Sequence, residues 1–136
     1  MKLSLLFCAF ITGFSFNSFA NNLTLDEEMS LMGKQFKKLA VAIKRTKKVS
    51  EVELEAINIM QSSIANSGLL FPETADSDDL RLLYSNLMWQ LMAKSLEMEG
   101  LIKEQMNQAQ QDMVRLDEVL TQMGQLRKKG HSEFKL

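Results

Sequence analysis

Apolar residues recur along most of this chain at spacings of three and four, with polar residues between them, the pattern of helices that bury one face. The first series runs Leu25, Met29, Met32, Phe36, Leu39 and Ile43. Thr24 and Glu27 frame its start as a capping box, each side chain placed to bond the other's amide. Lys44, Arg45, Lys47 and Lys48 crowd its far end, where the helix dipole favours cations. The pattern predicts a first helix over 24–47. Ser50 and Glu53 repeat the capping box, with Val49 placed to staple onto Leu54, and the stripe continues through Ile57, Met60 and Ile64 to Gly68, a C′ glycine. The apolar loop Leu69-Leu70-Phe71-Pro72 must cover something. Acidic Glu73, Asp76, Asp78 and Asp79 follow it.

A third helix begins between Asp76 and Ser85 and carries Leu83, Leu87, Leu91 and Met98. A turn at Glu99-Gly100 would leave a last helix of about 34 residues, roughly 50 Å long, with no partner of that length. Apolar spacing also continues through Ile102 and Met106, so the turn is expected within 107–111, with Asp112 as N-cap. The fourth helix then covers 112–134 through Met113, Leu116, Leu120, Met123, Arg127 and Phe134. Four helices with short links predict an all-α fold, an antiparallel up-down-up-down four-helix bundle forming a single domain over 21–136.

The residues before that domain read as a secretory signal peptide. Lys2 supplies the positive charge, Leu3 to Ile11 begin an apolar stretch, and Ser18-Phe19-Ala20 offers small residues at a cleavage site. Thr12, Gly13, Ser15 and Asn17 interrupt the apolar run and argue against a retained membrane span. Cleavage after Ala20 removes the only cysteine, Cys8, and with it any disulfide, thiolate metal site or covalent haem attachment. The mature protein is thereby expected to be secreted. With 16 Lys and Arg against 17 Asp and Glu, and Lys2 lost on cleavage, nothing provides the basic surface that nucleic acid requires. No nucleophile–base pair at useful spacing suggests an enzyme.

Candidate chemistry gathers at one end of the expected bundle. His131 is the only histidine in the chain, and Arg127 lies one turn before it. In an up-down-up-down bundle the start of the first helix and the end of the fourth share an end, so Met29 and His131 fall at about the same level. An imidazole and a thioether facing each other across an apolar core can hold a haem iron without covalent attachment. Met32, Phe36, Ile64, the Leu69–Phe71 loop, Tyr84, Leu87, Met88, Leu91 and Leu126 surround that level. Gly33 leaves space for a flat macrocycle, and Arg127, Lys128 or Lys129 can neutralise its propionates. Plainer readings stand beside this one. With ten methionines most must fill the core, a lone histidine in a basic last turn is often solvated, and the three cations also suit the helix dipole.

Read from Leu25 to Phe134, the chain resembles the soluble cytochrome b562 family of periplasmic haem-binding four-helix bundles. Leu25-Asp26-Glu27-Glu28-Met29 with Met32, Phe36 and Leu39 matches at one end, Arg127-x-x-x-His131 at the other, and Pro72 stands where the family has a loop proline. The resemblance implies that Met29 and His131 are axial iron ligands, that Arg127 lies at the haem edge, and that one non-covalent haem b is held per chain beside Met32 and Phe36. Gly130 replaces a frequent aromatic, and a family-like glycine turn would fall at Gly100. The expected function is single-electron transfer with an unidentified periplasmic redox partner. The alternative is a haem-free periplasmic helical protein, binding or chaperone-like, that uses its methionine-rich surfaces.

Overall fold

The computed structural model describes residues 23–136, so the expected signal peptide lies outside the described residues. Four α-helices carry the fold: α1 (Leu25–Val41), α2 (Glu51–Gly68), α3 (Asp78–Met106) and α4 (Val114–Phe134). There is no strand among the described residues, and the helices pack on one another as a four-helix bundle. Both capping boxes are present, at Thr24–Glu27 and Ser50–Glu53, and Ser77 caps α3 through Leu80 N. These starts are local: a short side chain reaches an amide two or three residues on, whatever the rest of the chain does.

Three boundaries differ from the expectation. Gly68 is the last residue of α2 with Leu69 as its C-cap, and no glycine among the described residues takes a positive φ, so Gly68 is not a C′ glycine. The first helix widens into a π turn, Ala42–Thr46, before Lys47 ends it in the left-handed region at φ 52°. The Lys48 amide and the Thr46 hydroxyl both donate to the Ala42 carbonyl, at 3.2 and 2.9 Å. Asp112 is not the cap of α4. Its carboxylate accepts from Val114 N at 3.0 Å, but the cap position falls to Met113, which has no side-chain bond. The turn itself lies where apolar spacing placed it, after Met106, and Gly100 sits inside α3.

Hydrogen bonds between helices fix the antiparallel order. Asn66 near the end of α2 donates to Glu28 near the start of α1 at 2.9 Å, and Gln61 reaches Glu99 of α3 at 2.9 Å. At the far end, Gln111 grips Val49 through both main-chain groups at 2.8 and 3.0 Å, an amide standing in for a strand partner. The turn between α3 and α4 is thereby tied to the turn that precedes α2. Consecutive helices pack closely, whereas α4 nears the first helical segment chiefly at the π turn. Between α1 and α4 the gap is filled by side chains: Arg127 lies over the Phe36 ring at 4.6 Å. The core runs through Leu39, Ile57, Met60, Met98, Leu116 and Met123, all fully buried. No described helix is long and apolar enough to cross a membrane.

Candidate functional site

The end that gathers the start of α1 and the end of α4 is closed from below by three aromatic rings. Tyr84 is fully buried, edge-on to Phe134 at 5.5 Å and tilted against Phe71 at 5.8 Å. Its hydroxyl donates to the Ser67 carbonyl at 2.5 Å, and burial pushes its pKa up to about 12. The Thr74 hydroxyl donates to the Phe134 carbonyl at 2.8 Å. The loop after α2 thus reaches the last turn of α4 through Thr74, while Leu69, Leu70 and Phe71 of the apolar run are 82%, 37% and 44% exposed, so that run covers less than expected.

Above this floor lies a cavity of about 30 Å³ lined by Met29, Met32, Met88, Arg127, Gly130 and His131, with Leu87, Leu91, Leu126 and Leu136. Four of the five expected site residues, Met29, Met32, Arg127 and His131, therefore share one wall. Phe36 does not line the cavity; it supports Arg127 from beneath. Ile64 and Leu69, expected around the same pocket, belong to a separate outer groove between α2 and α3. Met88 lines both spaces and divides them.

The chemistry of the lining is specific at two points. His131 Nδ1 contacts the main-chain oxygen of Leu136. An oxygen of that kind cannot donate, so the contact occupies Nδ1 as donor and leaves Nε2 as the ring nitrogen able to serve as a metal ligand. Arg127 is the second point. Burial lowers its pKa, and no carboxylate of the described residues lies within ion-pair distance of it. A desolvated guanidinium paired only with an aromatic face has unused capacity for an anion. Its position also revises the role of Gly33, whose absent side chain makes room for Arg127: a Cβ there would lie 3.1 Å from Nη2.

No three His, Cys, Asp or Glu side chains among the described residues converge on a metal-sized site. One imidazole and one thioether can serve a metal only if another group supplies the remaining ligands. That donor set suits haem iron, which brings four of its own. The space does not pre-exist: ligand sites typically span roughly 300–1,000 Å³, so a macrocycle would have to displace the cavity-lining side chains. Met32 and Met88 are flexible thioethers that can change rotamer, whereas Arg127 would have to leave the Phe36 face. The Leu136 contact to His131 and the Thr74 tie to Phe134 carried no sequence signal, because both depend on how the chain folds back. Comparisons with family models, curated proteins and solved structures found no match to this chain.

Proposed function

We propose that this protein is a periplasmic b-type cytochrome that holds one non-covalent haem through Met29 and His131 and passes single electrons to a redox partner. The observation that carries the reading is the convergence of the His131 imidazole and the Met29 thioether on one cavity. Arg127, partly desolvated and with no acid partner among the described residues, supports it by offering a counter-charge to a propionate. Haem supplies the redox chemistry. The chain's residues hold its iron, shield it from water and set its potential, with thioether ligation favouring the ferrous state. With Met29 and His131 both holding the iron, no position would be open to a substrate, which suits a carrier.

Titration of the purified protein with haem tests this. A sharpened Soret band that saturates at one haem per chain, with all haem extractable by acidified organic solvent, is the expected result. The small cavity volume favours the second reading, a haem-free helical binding protein, and absence of any saturable uptake would establish that reading instead.

A further inference from the structure

The near-equal totals of basic and acidic residues hide a segregation along the chain. Residues 29–50 carry seven Lys and Arg and no Asp or Glu, and residues 119–132 carry three and none. Residues 51–80 are the reverse, with seven acids and no Lys or Arg. The fold brings the two basic stretches together. A Cβ on Gly33 would lie 3.1 Å from Arg127 Nη2, and one on Gly124 would lie 3.4 Å from the Phe36 ring. Hence α1 and the second half of α4 stand side by side in antiparallel register. Lys34 and Lys37 of α1 and Lys128 of α4 fall within about one turn of Arg127 along the bundle, and all three are exposed. The structure thus has a basic surface that the totals conceal.

Its cations are uncommitted. Lys44 meets Asp117 at 3.5 Å, but Lys34, Lys37, Lys38, Arg127, Lys128 and Lys129 form no ion pair among the described residues. On α3, by contrast, Lys94 is paired with Glu97 at 3.1 Å and Lys103 with Glu99 at 2.8 Å. A surface of one sign attracts the opposite sign at range and orients it on docking. Arg127 stands in the cleft and lines the cavity, so this surface lies over the candidate site.

The chemistry of the face narrows the partner. Attachment to an anionic bilayer joins basic charge to apolar side chains that enter it. Among the described residues, α1 and the second half of α4 expose only Val41 of the large apolar kind, while Leu69, Leu82 and Trp89 stand out on the loop after α2 and on α3. Phosphate backbones are held best by guanidinium forks, whereas all the unpaired cations named here except Arg127 are lysines. A second copy offering its acidic stretch would leave its own basic face open to a third, a head-to-tail contact that does not close. An acidic patch on another protein meets none of these objections.

We propose that the α1–α4 face docks an acidic protein, and that this protein is the electron-transfer partner of the site beneath. The docking rests on charge alone; the partner's redox role rests on the proposed cytochrome function.

Calorimetry of the purified haem-free protein with poly-L-glutamate tests the docking. The expected result is binding at low salt that weakens at least about tenfold between roughly 20 and 200 mM, as the Debye length shrinks. Lys37→Glu with Lys128→Glu should weaken it by about tenfold. Lys94→Glu with Lys103→Glu changes the net charge equally and should leave it nearly unaltered. Circular dichroism should show both variants folded. Absence of binding at low salt, equal weakening by the two double variants, or preference for phosphatidylglycerol vesicles or duplex DNA over polyglutamate would overturn the docking.

Oxidation of the reduced, haem-loaded protein tests the redox role, with ferricyanide and tris(phenanthroline)cobalt(III) each removing one electron. Acids outnumber Lys and Arg in the chain, so net charge alone would make the anionic oxidant faster as salt rises. Reaction at the basic face predicts that ferricyanide slows and the cobalt complex quickens. The reverse pair of trends would overturn the partner's redox role. A protein that takes up no haem would overturn that role too, together with the cytochrome reading, while the polyglutamate result would still decide the docking.

Discussion

Tyr84 shows how much a single residue reports at this end of the bundle. Its ring seals the floor beneath the cavity, and its hydroxyl satisfies the Ser67 carbonyl. Burial raises its pKa from the ordinary 10 to about 12, so the folded state holds the phenolic proton more tightly than the unfolded chain. The associated stability is fully present below pH 10 and is lost as pH rises through 12, by roughly 2–3 kcal/mol in all. Urea denaturation of the wild type between pH 9.5 and 12, referenced to Tyr84→Phe, should show that loss. Tyr84 is the only tyrosine, so its ionisation can be followed directly by ultraviolet absorption, and a midpoint near 10 in the folded protein would contradict the burial argument. At this scale Met29, Met32, Arg127 and His131 were legible from spacing and level. The bonds that orient them were not, since Leu136 and Thr74 reach their partners only after the chain has turned.

Elements were most readable where their signals are local. The capping boxes at Thr24 and Ser50 need only neighbouring residues, and both are present. Replacing Ser50 by Ala should cost about 1 kcal/mol by removing the hydroxyl that accepts from Val52 N; thermal or urea unfolding measures it. Gly130 presents the opposite case. It lies within α4 at an ordinary helical φ, and a Cβ there would meet nothing within 4 Å. Gly130→Ala should therefore stabilise the haem-free protein by roughly 0.5–1 kcal/mol, and a lower urea midpoint would show that the last turn is held some other way. The π turn at Ala42–Thr46 and the cap at Met113 were not readable. Nothing in the apolar spacing separates a slightly widened helix from a regular one, and Asp112 can bond the first turn without occupying the cap.

For the whole molecule, the four-helix architecture followed from stripe lengths: a turn at Gly100 would have left one helix with no partner of equal length, and the chain instead turns after Met106. Less readable was the contact between α1 and α4, where Phe36 and Arg127 fill a gap that spacing alone assigned to a ligand. Haem that binds only the folded bundle should raise the melting temperature with concentration, by about 2.7 kcal/mol of stability at a hundred times its dissociation constant. Calorimetry at increasing haem concentration measures this, and an unchanged melting temperature would argue against specific binding. Hydrogen exchange should localise the gain to residues 126–134, and equal protection with and without haem would contradict the proposed site.

The claim that Met29 and His131 hold the iron is tested most directly by reduced-state absorption spectra of the haem-loaded wild type and three variants. His131→Ala should lose most of its haem affinity, because imidazole binds both oxidation states. Met29→Ala should keep haem but lose the six-coordinate low-spin reduced spectrum, since thioether ligation matters most in the ferrous state. Met32→Ala, one turn along α1 in the same cavity, should repack the wall and leave the ligand set intact. Loss of the low-spin reduced spectrum in the Met32 variant with its retention in the Met29 variant, or undiminished haem binding by His131→Ala, would contradict the account.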